Sequence, residues 1–280
     1  MAEYSRQIRT PEDNYEYLVK IAEKKVKGPV LHLFLKAILG GWFAGLGGHA
    51  AFVLAASYYK ENGLLGTPKV AFGLVFTSAL LAIIFTGTDL YTGNTMSFTF
   101  TLYKKRIDPV QFGCKILVSL FGNYVGAVLA ALILSGGTGY FTPEVGPGNP
   151  YMKLIAKYKT QQSFWRVICS GIGCNCFVCL AVWSSYVALD AAGSILAIVI
   201  LITSFAVGGL EHIIANFYTL HACWISQTGI TFVDVYFRNF LPTFIGNTIA
   251  GSLFLGLPLS ILYGGSPKVT EDPEEELLPA

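Results

Sequence analysis

Long apolar runs recur along almost the whole chain, and they constrain its fold more than any other feature. Each run is near or above the roughly 20 residues that an α-helix needs to cross a hydrocarbon core of about 30 Å. The runs are apolar on every side and rich in Gly and Ala, which favours helices packed in lipid over barrel strands. The sequence predicts an all-α membrane protein with six transmembrane helices, at about residues 33–58, 70–100, 109–135, 163–188, 193–224 and 239–263.

Composition and the placement of charge agree with this prediction. Hydrophobic residues make up 53% of the 280 positions and charged residues 13%, far from the balance of a soluble domain. Lys and Arg cluster before the first run and just after the second, which places both termini in the cytoplasm by the positive-inside rule. We expect a cytoplasmic N-terminal segment over 1–32, a transmembrane transporter domain over 33–263 and an acidic cytoplasmic tail over 264–280.

The two halves of the chain share a skeleton of polar residues at a nearly constant separation. The separations are 123, 122, 122 and 124 residues, which random polar residues would not keep through apolar sequence. Each half holds three runs, so the second half should insert upside down relative to the first, as a 3+3 inverted repeat. The matched residues are Lys36 with Lys159, Asp89 with Glu211, Asn94 with Asn216, and Gly122-Asn123 with Gly246-Asn247.

The second and fifth runs are broken by polar residues and glycines, at 86–95 and 207–216. Gly and short polar side chains favour irregular backbone there, which lipid tolerates only where the backbone is buried in protein or lines a cavity. In transporters with inverted repeats, such discontinuous helices hold the substrate site near the bilayer midplane. We therefore predict that transmembrane helices 2 and 5 are interrupted and that the pore runs between the interruptions.

The halves differ at the residue that follows each acid, which is Leu90 in the first half and His212 in the second. An imidazole has a reference pKa of about 6.5 and exchanges protons near neutral pH. We therefore interpret His212 as the central residue of the pore.

The other matched residues suggest how an anion would reach the centre. As a hypothesis, Lys36 and Lys159 stand at the two mouths of the pore and draw anions in. Each lysine is expected to bind the acid and amide of one break, Asp89 with Asn94 and Glu211 with Asn216. Between these polar points the path is apolar, which an ion crosses only at high cost. A carboxylate would therefore cross as the neutral acid, through constrictions predicted at Leu80, Ile83, Leu90, Phe205 and Ile213.

Four stretches of the chain resemble the formate–nitrite transporter family, and the resemblance extends from about Lys36 to about Tyr263. It is strongest to the protist branch, including the apicomplexan parasites, that carries lactate with protons. The stretches are Thr86-Gly-Thr-Asp-Leu-Tyr-Thr-Gly-Asn-Thr95, Gly209-Leu-Glu-His-Ile-Ile-Ala-Asn216, Ser119-Leu-Phe-Gly-Asn-Tyr-Val-Gly126 and Asn175-Cys-Phe-Val-Cys-Leu-Ala-Val-Trp183.

This resemblance implies an aquaporin-like protomer, a homopentamer with one pore per subunit, and both termini in the cytoplasm. We expect a multi-pass protein of the plasma membrane. The resemblance also implies roles for matching residues. His212 would donate a proton, Lys36 and Lys159 would be vestibule lysines, the loop around Thr92 and Asn94 would be the cytoplasmic break, and Asn175 would be a polar neighbour of the centre. The substrates implied are protons with lactate, formate, acetate or pyruvate. Many relatives have Phe where this chain has Leu80, so the inner constriction is expected to be wider here.

Other functions receive less support from the sequence. Nitrite and hydrosulfide carriers of the same family stay open as alternatives, and so does an aquaporin-like pore for neutral solutes, although its Asn-Pro-Ala breaks are missing. The sequence shows no nucleophile elbow or phosphate loop, so no enzyme activity and no cofactor are expected. Cys174, Cys176 and Cys179 spread over more than one helix face without a nearby His, so no metal site is expected either. The net charge of +2 predicts no nucleic-acid partner.

Overall fold

The computed structural model describes residues 8–62, 66–144 and 146–265, and most of them are helical. The N-terminal residues 1–7 and nearly all of the predicted acidic tail lie outside this range. With π-helical segments counted in the helices they continue, the helices are α1 Pro11–Lys27, α2 Val30–Asn62, α3 Thr67–Thr86, α4 Tyr91–Tyr103, α5 Pro109–Gly137, α6 Asn149–Thr160, α7 Phe164–Val187, α8 Ala191–Val207, α9 Ile213–Ile225 and α10 Phe232–Tyr263.

The described part of the chain contains five helices that are each long and apolar enough to cross a membrane, namely α2, α3, α5, α7 and α10. The apolar helices α8 and α9 are shorter, with 17 and 13 residues. The prediction of an all-α membrane fold with two interrupted helices is confirmed, because α3 and α4 occupy the second apolar run, and α8 and α9 the fifth. The count of six membrane crossings stays a prediction.

Each interruption begins with a glycine in the left-handed conformation and ends where a new helix starts. Gly87 has φ 65° after α3, and Gly209 has φ 66° after α8. A side chain at either φ would be strained, and this explains the choice of glycine. The chain then runs to the N-terminal ends of α4 and α9, which begin at Tyr91 and Ile213.

One asparagine in each half satisfies the backbone groups that an interruption leaves free. The Asn123 side chain accepts from the Tyr91 N–H at 2.8 Å and donates to the Asp89 carbonyl at 2.9 Å. Asn247 accepts from the Ile213 N–H at 2.9 Å and donates to the Glu211 carbonyl at 3.0 Å. In a water-free environment each unpaired backbone group would cost several kcal/mol, so these amides stabilise the irregular segments.

Two amphipathic helices, α1 and α6, lie outside the apolar runs and were not predicted as helices. The start of α1 carries recognisable signals, because the Thr10 hydroxyl accepts from the Asp13 N–H and Pro11 occupies the first turn. Its apolar side is buried, including Leu18, Ala22 and Val26. The α1 helix is therefore part of the packed fold, within the stretch predicted only as a cytoplasmic segment.

Candidate functional site

The site lies inside the helix bundle, between its two ends. We name each end after the short helix that lies there, α1 or α6. The α1 face is the end where α1 leads into α2. The α6 face is the opposite end, where α6 and the first turn of α3 line one cavity, through Tyr158 and Lys69. This cavity, the α6 vestibule, has a volume of about 130 Å³. Because one water needs only about 10–15 Å³, the vestibule can hold a small hydrated anion.

A lysine, an acid and an amide meet on the wall of the α6 vestibule. The Lys159 ammonium lies 3.0 Å from the Glu211 carboxylate and donates to the Asn216 side-chain oxygen at 2.8 Å. Asn216 in turn donates to Glu211 at 2.6 Å. Both Glu211 and Asn216 are buried. Lys159 and Asn216 line the vestibule, and these three residues meet as the sequence predicts.

An equivalent triad exists at the α1 face, but its lysine is not the predicted one. The Lys25 ammonium lies 2.9 Å from the Asp89 carboxylate and 3.2 Å from the Asn94 side-chain oxygen. Asn94 donates to Asp89 at 2.7 Å. The predicted pairing of Lys36 with Asp89 is wrong, because the Lys36 side chain is exposed on α2 and only its backbone carbonyl contacts this site, accepting from the Asp89 N–H.

The spacing of the two halves explains this error. The acids Asp89 and Glu211 are 122 positions apart, whereas the lysines Lys25 and Lys159 are 134 positions apart. The first half therefore contains twelve additional residues between lysine and acid. The additional length accompanies a longer first helix, since α2 has 33 residues and α7 has 24. A constant separation between the two halves therefore matches Lys159 with Lys36 on α2, whereas the actual counterpart, Lys25, lies on α1.

The Asp89 carboxylate keeps the Lys25 ammonium protonated. Burial alone would lower the pKa of the Lys25 ammonium, but the adjacent Asp89 carboxylate outweighs this effect and raises that pKa above its ordinary value. Lys25 therefore stays charged throughout the neutral pH range, and the stability that its charge contributes is lost as the pH rises through this raised pKa.

His212 lies at the start of α9 and faces Thr92 at the start of α4. Its Nδ1 atom accepts a hydrogen bond from the Ala215 backbone N–H at 3.2 Å, which caps α9. Its Nε2 atom lies 3.0 Å from the Thr92 hydroxyl oxygen. A backbone N–H can only donate, so the neutral ring carries its proton on Nε2 and donates to Thr92. Protonation of Nδ1 would break the helix cap.

An apolar chamber of about 20 Å³ lies beyond His212, towards the α1 face. Four of the five predicted constriction residues line it, namely Leu80, Ile83, Leu90 and Phe205. Phe205 and His212 line both the chamber and the α6 vestibule, and therefore separate the two cavities. Sequence reasoning missed further apolar lining residues, namely Ala44, Phe76, Ala79, Val178 and Ile202.

Ile213 does not line the chamber, and its role as a constriction stays a prediction. It lines a different groove, with Tyr124 and Phe217. A residue one position beyond His212 projects to a different side of the chain, which hydropathy alone does not reveal.

Asn175 stabilises the site through hydrogen bonds and does not line either cavity. Its amide donates to the Thr92 carbonyl at 3.3 Å, to the Thr95 hydroxyl at 3.1 Å and to the Asn247 carbonyl at 2.6 Å. These bonds connect α7 with α4 and α10. Asn175 therefore positions the first turn of α4, and with it the Thr92 hydroxyl.

Both interrupted helices direct their N-terminal ends at the centre. Thr92 lies in the first turn of α4, and His212 caps α9. The N-terminus of a helix carries a partial positive charge of roughly half an elementary charge. The pore centre is therefore apolar at its walls and favourable to a negatively charged or hydrogen-bond-accepting group at these two helix ends.

Known proteins match this chain both in sequence and in fold. Residues 12–261 match the family described as Formate/nitrite transporter. A formate-nitrite transporter of Plasmodium falciparum is 39% identical over 260 residues, which is 90% of this chain and 84% of that relative. A solved structure described as an FNT family ion channel has a TM-score of 0.78 and 26% identity, covering 92% of this chain and 98% of its own.

A second solved structure, described as a pentameric formate channel with formate bound, has a TM-score of 0.72 and 23% identity. The similarity covers 84% of this chain and 97% of that one. At this identity it shows a shared fold.

Proposed function

Because this chain belongs to the formate/nitrite transporter family, whose members are transporters and channels rather than enzymes, we propose that it carries small monocarboxylates across a membrane together with protons. Lactate, formate, acetate and pyruvate are the proposed substrates. The observation that carries this proposal is the apolar chamber that follows the lysine-containing α6 vestibule, with His212 between the two cavities.

The size and polarity of the chamber support passage of the substrate as the neutral acid. Its volume of about 20 Å³ leaves room for about one water, so a carboxylate inside it would lose nearly all of its hydration. Burying an unpaired carboxylate in an apolar medium costs many kcal/mol, whereas burying a hydrogen-bonded neutral group costs far less. In our proposal the carboxylate takes a proton from water in the vestibule and crosses the chamber as the neutral acid.

His212 and Thr92 then act as hydrogen-bonding groups for the passing acid. Because the neutral His212 ring donates from Nε2 to the Thr92 oxygen, the Thr92 hydroxyl hydrogen is available to the substrate. This assigns His212 the role of orienting Thr92, in place of the proton-donor role that the family resemblance suggests. The proton enters with the acid, from solvent, and leaves with it at the other face.

The two lysine triads would attract and hold the anion before it is protonated. Lys159 is bound to Glu211 and Asn216, and Lys25 is bound to Asp89 and Asn94, so each ammonium is fixed in position. A fixed ammonium presents its remaining N–H to a carboxylate without losing side-chain entropy.

We propose a homopentamer with one pore per protomer, in line with the pentameric state of the formate channel that shares this fold. We also propose a plasma-membrane location with both termini in the cytoplasm. Lys104, Lys105 and Arg106 follow α4 on the face where α1 lies, which supports a cytoplasmic α1 face.

Nitrite is a second candidate substrate, because the small chamber favours small anions and the family name includes nitrite. Nitrite is also the anion of a weak acid and could follow the same route as the neutral acid. Competition between labelled formate and nitrite distinguishes the substrates by their relative affinity.

Uptake of labelled lactate and formate into proteoliposomes tests the proposal. Wild type should take up both acids faster as the external pH falls. His212→Phe should slow uptake at every pH, whereas His32→Phe, which alters an exposed histidine on α2, should behave like wild type. Uptake that did not depend on pH would reject proton coupling, and normal uptake by a folded His212→Phe variant would reject the central role of His212.

A further inference from the structure

The α6 vestibule contains a second lysine, Lys69, whose environment differs from that of Lys159. Lys69 lies in the first turn of α3 and lines the vestibule. Its ammonium lies 3.2 Å from the position that a Cβ atom on Gly209 would occupy, and the Tyr158 hydroxyl is equally close to that position. Lys69 and Tyr158 therefore project over the glycine that opens the second interruption.

The charges of the vestibule lining do not cancel. Lys159 forms an ion pair with Glu211, so this pair adds little net charge. Among the residues whose side chains the structure describes, none places a carboxylate within 4.0 Å of the Lys69 ammonium. The net positive charge of the vestibule lining therefore comes from Lys69.

In the inverted repeat, neither Lys69 nor the cover over Gly209 has a counterpart in the other half. The constriction residues Ile83 and Phe205 are 122 positions apart, and the same separation carries Lys69 to Ala191. The counterpart of Gly209 is Gly87, and no described atom lies within 4 Å of the Cβ position there. The position that matches Lys69 is thus not a lysine, and no described side chain covers Gly87 as Lys69 and Tyr158 cover Gly209.

We propose that Lys69 captures the substrate anion at the α6 mouth, with the Tyr158 hydroxyl as an additional hydrogen-bond donor. This inference rests on the proposed function and adds the residue that sets apparent affinity on one side of the membrane. An anion about 4 Å from an exposed ammonium gains roughly fivefold in binding in water, and more where the vestibule excludes water. The gain depends on salt, because the Debye length falls from about 30 Å at 0.01 M to about 3 Å at 1 M.

Formate uptake by Lys69→Met, Lys69→Arg and Lys153→Met tests the inference. Lys153 is the matched control, since it lies exposed on α6 and does not line the vestibule. At low ionic strength we expect Lys69→Met to raise KM about fivefold without changing kcat, and Lys69→Arg to restore KM. The difference should disappear at high salt, and Lys153→Met should match wild type. Tyr158→Phe should raise KM about twofold.

Two results would overturn the inference. A KM of Lys69→Met equal to that of wild type at low salt would show that Lys69 captures no anion. An increase in KM that high salt left unchanged would show that Lys69 acts only by packing at the end of α8. By contrast, a wild type that transported formate without any dependence on pH would reject proton coupling and leave the comparison of lysine variants valid.

Direction of flux gives an independent readout. In intact cells all copies share one orientation, so Lys69→Met should alter the KM of influx or of efflux, but not of both. Equal changes in both directions would contradict the assignment to a single face.

Discussion

Replacement of Lys25 provides a sharp test of the ion pair at the α1 face. Lys25→Met leaves the Asp89 carboxylate without its cation, although Asn94 and Ser119 still donate to it. Breaking a buried ion pair from one side costs about 3–5 kcal/mol. The Asp89 side chain is fully buried, but that of Lys25 is 25% exposed and two donors remain. We therefore expect the lower end of that range, about 3 kcal/mol.

Thermal unfolding of the purified protein in detergent measures this loss. For a chain of this size, each kcal/mol lowers Tm by about 2–4 °C, so Lys25→Met should lower Tm by about 6–12 °C. Lys36→Met alters an exposed side chain and should change Tm by no more than about 2 °C. The double variant Lys25→Met with Asp89→Asn should recover most of the loss, because removal of both charges leaves none buried and unpaired.

A Tm of Lys36→Met as low as that of Lys25→Met would contradict the pairing of Lys25 with Asp89. A double variant no more stable than Lys25→Met alone would contradict it as well. Either result would mean that Asp89 has another partner, or that the stability of this face does not depend on the ion pair.

Three further predictions concern the chamber and the interruptions. Asn247→Ala removes the oxygen that accepts from the Ile213 N–H and the amide that donates to the Glu211 carbonyl. The free energy of unfolding should fall by about 2–4 kcal/mol, measured as a lower Tm. Thr92→Val removes the hydroxyl 3.0 Å from His212 and leaves the buried His212 N–H without its acceptor, so it should slow formate uptake about tenfold and cost about 1–3 kcal/mol, measured as a lower Tm. Leu80→Phe narrows a chamber of about 20 Å³ and should slow lactate uptake at least fivefold more than formate uptake, measured in parallel with labelled acids.

Features that depend on local chemistry could be predicted from the sequence. The interruptions were visible because Gly87 and Gly209 stand among polar residues inside apolar runs. Asn123 and Asn247 were visible as matched polar residues, and the structure gives their purpose, which is to satisfy the backbone of the interruptions. Such residues cannot be apolar in lipid, so they remain detectable in a single sequence.

Features that depend on insertions and on the direction of side chains could not be predicted in this way. Lys36 matches Lys159 only if the two halves keep a constant separation, and the longer α2 changes that separation for every residue before it. Ile213 is as apolar as the residues of the chamber, and only the packing of α9 decides that it lines the groove that Tyr124 also lines. Lys69 gave no signal, because a lysine at the end of an apolar run is ordinary.

The most direct test of the central claim measures substrate and proton entry together. Proteoliposomes loaded with a pH indicator receive labelled lactate while a membrane potential is imposed in either direction. If the acid crosses the chamber as a neutral molecule, one proton enters with each lactate and the rate does not depend on the potential. Lactate entry that followed the potential, without matching acidification of the interior, would show that the anion itself crosses and would contradict the account.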